Sequence, residues 1–260
     1  MVYENILFDV SDGIATITLD RNDTRNALSW GMANDLSDAL DRLGAARVLV
    51  ITGAGKGFCS GGDMSSPVVA GMAFGDMLHD GIIGTINPML AKLHDLRIPV
   101  ISAVNGAAAG AGAPLALSAD FVIAGASAFF YFAFANVGLA VDAGASWLLP
   151  RLIGTARAMQ ALVLAERIPA AQALDWGMIY KAVPDADLQA ETRALAIRLA
   201  AGPTLSYGLI RAAVQQAAAS DYRAALAQEA QAQRVAGNSA DCAEAVAAFL
   251  EKRAAVFRGV

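Results

Sequence analysis

Apolar and polar positions alternate over residues 5–10 and 13–20, on either side of Ser11-Asp12-Gly13, which predicts a β-hairpin. Ser29 then caps a helical spacing of about fourteen residues that runs through Leu43 and stops at Gly44. Val48–Ile51 and Pro99–Val104 are unbroken apolar runs, the mark of strands covered on both faces. Each leads into small residues, Gly57-Phe58-Cys59-Ser60-Gly61-Gly62-Asp63 after the first and Asn105-Gly106-Ala107-Ala108-Ala109-Gly110-Ala111-Gly112-Ala113 after the second. A short helix over Ala113–Ser118 follows. Residues 65–95, opening Ser65-Ser66-Pro67, show weak helical spacing at Met72, Met77, Ile82, Ile86 and Leu90, and their glycines predict a mobile cover. Further strands are predicted at Asp120–Ala124, Ala128–Phe132 and near 179–183, with helices near 143–152, 156–165 and 170–176. From about residue 187 only helical spacing remains, over 188–201, 203–218, 221–236 and 239–252. The pattern is α/β, with an alanine-rich helical tail that reads as an assembly module.

Composition narrows the function classes. The 260 residues are 56% hydrophobic, but the excess is mostly alanine and no apolar run reaches the roughly 20 residues of a membrane-spanning helix. No membrane is expected, and the N-terminus shows neither a basic leader nor a cleavage site, so the expected location is cytoplasmic. Surplus apolar surface in such a chain predicts subunit contacts. A net charge of −5 without a basic stripe argues against nucleic acid. Two cysteines, Cys59 and Cys242, and two histidines, His79 and His94, form no metal-ligand spacing, so no metal is expected.

Chemistry has to come from the two small-residue loops. Glycine and alanine let a ligand approach main-chain N–H groups, and two such groups aimed at one point can hold a developing oxyanion. Phosphate binding fits less well: Gly106, Gly110 and Gly112 miss the spacing G-x-G-x-x-G, and Gly53-Ala54-Gly55-Lys56-Gly57 lacks the Lys-Ser/Thr ending of a P-loop. Tight turns without chemistry remain open. Cys59 and Ser60 lack the nucleophile-elbow spacing G-x-S-x-G. Asp142, just before a helical run, reads either as an N-cap or as a base.

Arg25-Asn26-Ala27-Leu28-Ser29, Ile51-Thr52-Gly53-Ala54-Gly55, the two loops, and Asp175-Trp176-Gly177-Met178-Ile179 stand in the order and spacing of one family. The chain resembles the crotonase (enoyl-CoA hydratase/isomerase) superfamily over essentially its whole length. That resemblance implies a crotonase (ClpP-like) fold, a repeated β-β-α spiral core over 1–200 carrying an acyl-CoA site, with a C-terminal helical trimerisation region over 201–260. It implies a homotrimer or a hexamer built as a dimer of trimers. The substrate would be an acyl-CoA thioester, with no separate cofactor because coenzyme A is part of the substrate. The oxyanion donors would be the backbone N–H groups of Gly62 and Ala111. Arg25, Ala27, Asp63 and Met64 would border the CoA nucleotide, and Lys252 and Phe257 match the tail that in relatives reaches a neighbouring subunit's CoA. Without the resemblance, Arg25 reads equally as a solvated surface arginine.

Hydratases of this superfamily use two glutamates, and the matching positions are Pro114 and Phe134, neither of which can carry a proton. The stretches Gly110–Leu117 and Leu139–Leu152 look most like 2-(1,2-epoxy-1,2-dihydrophenyl)acetyl-CoA isomerases of phenylacetate degradation and Δ3,Δ2-enoyl-CoA isomerases, which carry an aspartate where this chain has Asp142. The implied activity is acyl-CoA isomerisation, a double-bond shift or epoxide rearrangement with Asp142 as base. Hydration with non-standard water activation and non-catalytic acyl-CoA binding are the alternatives. A related dehalogenase pairs this aspartate with a histidine, but Asn87 stands in that place. Strand alternation puts Phe132 and Phe134 on one side, and with Met72, Met77 and Trp147 they are expected to line an apolar acyl pocket.

Overall fold

The structure is a computed structural model and describes residues 2–65 and 71–260. The chain opens with β1 (Ile6–Ser11) and β2 (Ile14–Leu19), paired antiparallel around Asp12 and Gly13 at φ 53° and 73°, as a two-residue hairpin turn requires. Helix α1 (Trp30–Asp41) follows, and Ser29 caps it by accepting the Met32 N–H. It ends two residues before the expected Leu43.

Strands β3 (Val48–Gly53) and β4 (Gly57–Cys59) lead to α2 (Phe74–Gly81) and α3 (Asn87–Asp95), joined by a π-helical turn at Ile82–Ile86. Strands β5 (Val100–Val104) and β6 (Ala107–Ala109) lead to α4 (Gly112–Leu117). Strands β7 (Phe121–Gly125) and β8 (Phe129–Tyr131) lead to α5 (Ala145–Met159), which Gly154 breaks at φ 77° and ψ 161°. Strand β9 (Ile168–Pro169), α6 (Ala170–Asp175) and β10 (Lys181–Val183) complete the sheets. Helices α7 (Leu188–Ala200), α8 (Thr204–Ala217), α9 (Tyr222–Gly237) and α10 (Ala240–Glu251) form the tail.

A strand of the larger sheet, a strand of the smaller sheet and a helix thus recur three times. The larger sheet runs β1-β2-β3-β5-β7-β10 and the smaller β4-β6-β8-β9. The strands β4 and β6 lie inside the small-residue loops. Three residues each, Gly-Phe-Cys and Ala-Ala-Ala, are too short to show a hydrophobic period, so sequence reasoning saw only loops there.

Buried alternation confirms the reading of the central strands. Leu49 and Ile51 of β3 join the core shared with α1 and α3, while Val48 and Val50 face Leu188, Ala196 and Leu199 of α7. Arg211 fastens α8 to this body. Its Nε donates to both Asp120 carboxylate oxygens, and its Nη1 and Nη2 donate to the carbonyls of Leu93, His94 and Leu96 at the end of α3.

The expected cover differs from its prediction. Residues 74–95 form a continuous helical stretch, with glycines inside it. Packing of Ile86, Met89 and Leu93 in the core outweighs the helix cost of Gly75, Gly81 and Gly84. Residues 66–70, including Ser66 and Pro67 of the expected opening, lie outside the described residues.

Candidate active site

The two small-residue loops touch each other, and glycine makes that possible. Gly61 and Gly110 sit at φ 105° and 48°, and a Cβ on Gly110 would lie 3.3 Å from the Gly61 Cα and 4.0 Å from the Gly62 nitrogen. A Cβ on Gly112 would strike the Cys59 Cβ at 2.6 Å. Leu28 bridges to the first loop, donating to the Gly61 carbonyl at 2.8 Å and accepting from the Asp63 N–H at 3.0 Å. That pairing uses the groups on either side of Gly62. Among the described residues, neither the Gly62 nor the Ala111 N–H donates to a backbone carbonyl.

Asn26 holds this corner rigid. It is fully buried at φ 60°, its Oδ1 accepts from Arg21 N–H, and its Nδ2 donates to the carbonyls of Ala54 and Gly57, all at 2.9 Å. Sequence reasoning gave Asn26 no role of its own. The available signal was weak, an asparagine, which tolerates left-handed backbone, at the end of the polar run Asp20–Arg25.

Gly62 and Ala111 face one cavity of about 200 Å3, bounded by Trp30, Leu78, Ile82, Ile86, Phe134 and Leu139. Two carboxylates border it. Asp63 pairs with Arg21 Nη1 at 2.8 Å and accepts from Ser65, and these hydrogen bonds lower its pKa. Among the described residues Asp142 has no such partner: its Oδ1 is buried without a hydrogen bond, and burial pushes its pKa up to about 6. The cap reading of Asp142 does not match the geometry. Gly144, at φ 81°, occupies the N-cap position of α5, and only the backbone carbonyl of Asp142 accepts, from Ala145.

The remaining expected residues divide between several places. Phe134 lines the cavity, but Phe132 is fully buried in the core, because β8 ends at Tyr131 and strand alternation does not continue to 134. Met72 and Met77 lie on α2 or just before it and do not line the cavity. Trp147 lies outside it too, with its ring edge-on to His94 at 5.9 Å and Arg151 stacked 4.1 Å above it. The wall is built instead by Trp30, Leu78, Ile82 and Ile86, which no strand argument could reach.

Arg25 is exposed and lines a separate cleft of about 730 Å3 with Lys56 and Arg167, which meets the cavity at Ser60. Met64 borders the cavity, whereas Ala27 is buried and accepts from Arg21 Nη1. Lys252 caps α10 at φ 56°, and the Phe257 carbonyl accepts from Arg47, so the tail lies along its own chain. His79 and His94 pair with Asp80 and Asp95 outside the cavity. Asn87 is exposed. Cys59 is buried with its thiol pushed up to about 11, and Ser60 Oγ donates to the Thr24 carbonyl, so neither is an activated nucleophile. Among the described residues, no three His, Cys, Asp or Glu side chains cluster as a metal site. No described helix is long and apolar enough to cross a membrane.

The family described as enoyl-CoA hydratase/isomerase matches residues 9–260. The chain belongs to the enoyl-CoA hydratase/isomerase family. This enoyl-CoA hydratase/isomerase family enzyme is 44% identical over 260 residues to a "Probable enoyl-CoA hydratase" of Rhodobacter capsulatus, covering 100% of both chains. It is 42% identical over 259 residues to a 1,2-epoxyphenylacetyl-CoA isomerase of Escherichia coli, covering 98% of this chain and 99% of that one. A solved enoyl-CoA hydratase of Bacillus anthracis superposes with a TM-score of 0.92 at 30% identity, over 99% of this chain and 100% of that one. The fold is the crotonase fold, as the motifs implied. Members of this family act on acyl-CoA thioesters, by names that include both hydratase and isomerase.

Proposed function

We propose that this family member is an acyl-CoA isomerase with Asp142 as its single acid–base group. The observation that carries the reading is an unpaired, half-desolvated carboxylate in an apolar cavity that also presents two free backbone N–H groups. For a 3-enoyl thioester, the carbonyl oxygen accepts from Gly62 and Ala111 N–H. Asp142 takes a C2 proton, the negative charge moves onto the thioester oxygen, and the proton returns at C4. An epoxide neighbouring the thioester would be rearranged through the same enolate. Each donor of this type is worth about 2.7–4 kcal/mol of barrier. A carboxylate titrating near 6 is both a stronger base than an exposed one and ionised at neutral pH.

Phe134 at the cavity wall and Pro114 inside α4 stand where the resemblance puts the hydratase glutamates, and neither can activate water. The name of the Rhodobacter relative supports a second reading, hydration. Incubation with a trans-3-enoyl-CoA and with a trans-2-enoyl-CoA separates the two. Isomerisation gives a product of unchanged mass with new conjugated-thioester absorbance, and Asp142→Asn abolishes it. Hydration removes that absorbance from the 2-enoyl thioester. Tight binding with no turnover of either substrate would favour a non-catalytic acyl-CoA binder.

By the same resemblance, Arg25, Ala27, Asp63 and Met64 receive the CoA nucleotide; the cationic cleft of Arg25, Lys56 and Arg167 supports this for Arg25, while Asp63 and Met64 border the adjoining cavity. The tail carries exposed apolar side chains, Ile210, Val214, Phe249 and Leu250, which support a homotrimer or a dimer of trimers. Lys252 and Phe257 would then act toward a neighbouring subunit. Sedimentation equilibrium tests the assembly.

A further inference from the structure

The cavity wall contains one contact that only a missing side chain permits. Trp30, the first residue of α1, lines the cavity with its indole, and behind that ring lies Gly81 at the end of α2. A Cβ on Gly81 would sit 2.4 Å from Trp30 Cζ2, 2.5 Å from Cη2 and 2.7 Å from Cε2. The ring therefore rests flat against the bare helix backbone. Leu78 and Ile82, beside Gly81 on the same helix, reach the cavity, whereas Gly81 does not.

We propose that Trp30, seated on Gly81, is the specificity-determining wall of this cavity and limits the bulk of the acyl group that it accepts. The proposal rests on the acyl-thioester reading of the site. The indole is the largest side chain on the wall, and its position is set by a glycine rather than by a flexible neighbour that could yield. The π-helical turn at Ile82–Ile86 follows at once and turns both Ile82 and Ile86 toward the same space, with Thr85 Oγ1 bonded to the Gly81 carbonyl. Helix, turn and ring thus form one surface. Ile86, Met89 and Leu93 fix this helical stretch in the core, so a side chain at 81 pushes the indole into the cavity. Removing the indole opens the cavity toward α2.

The test uses Trp30→Leu and Gly81→Ala with straight-chain trans-3-enoyl-CoAs from hexenoyl to dodecenoyl, reading kcat and KM separately. Trp30→Leu is expected to raise the dodecenoyl-to-hexenoyl ratio of kcat/KM by about tenfold, and Gly81→Ala to lower it by about tenfold, the scale of small changes in an apolar pocket. Inhibition by free CoA should stay unchanged in both. Damage to the fold would lower both substrates together, and alanine by itself favours a helix over glycine. Opposite movements of the ratio are therefore specific to the wall. Ratios within about twofold of the parent in both variants would overturn the proposal. Calorimetric binding of hexanoyl- and dodecanoyl-CoA repeats the comparison without turnover. A parent protein that binds these thioesters but isomerises nothing sinks the isomerase reading alone, and one that binds neither overturns both.

Discussion

Replacing Asp142 by asparagine should abolish isomerisation and at the same time stabilise the fold at neutral pH. Burial raises the Asp142 pKa from 3.8 to about 6, and no hydrogen bond or cation opposes it. The sign follows from proton binding. Between pH 3.8 and about 6 the folded chain holds this proton more tightly than the unfolded chain, so stability is fully present below 3.8 and falls as pH rises through about 6. At about 1.4 kcal/mol per unit, the whole shift would correspond to about 3 kcal/mol. Asp142 is only part-buried as a residue, and solvent screening reduces that to about 1–2 kcal/mol. Asparagine has the same shape and cannot ionise, so the variant escapes the cost. Denaturant unfolding of both proteins at fixed protomer concentration, at pH 4 and pH 8, measures the difference, and the other titrating groups cancel between them. The variant should exceed the parent by about 1–2 kcal/mol at pH 8 and match it near pH 4. A variant of equal or lower stability at pH 8 would show that Asp142 is not desolvated in this way.

The remaining expectations concern the same corner and its support. The parent kcat should rise with pH through about 6 and then level, because the ionised carboxylate is the base; a flat pH profile from 5 to 8 would exclude it. Ala111→Pro deletes one oxyanion donor at a residue whose φ is already −61°, so kcat should fall by about 100–1000-fold while circular dichroism stays native. Asn26→Leu leaves the Arg21 N–H and the Ala54 and Gly57 carbonyls without their partner, and a loss of about 2–4 kcal/mol is expected by denaturant unfolding. Arg211→Met strands Asp120 and the α3 carbonyls, with a loss of about 3–5 kcal/mol in the same assay.

Local rules decided most of the architecture before any folding. Alternation over residues 5–10 and 13–20 specified the hairpin, Ser29 specified the start of α1, and the apolar runs at 48–51 and 99–104 specified strands covered on both faces. The glycines at 61 and 110 marked where backbone meets backbone, and Gly112 where it meets Cys59. These signals lie within a few residues of their cause, so the chain alone carries them. The composition of the acyl pocket does not. Trp30 comes from α1, Leu78 and Ile86 from a helix disguised by glycines, and Phe134 from a turn that strand alternation misassigned, while Trp147 turns outward to His94. The absence of a hydrogen bond to Asp142 Oδ1, and the ionisation shift that results, depends on what every neighbouring element leaves unoccupied. Periodicity reports which face of one element is apolar, but only the packing of several elements determines which of those faces enclose the same space.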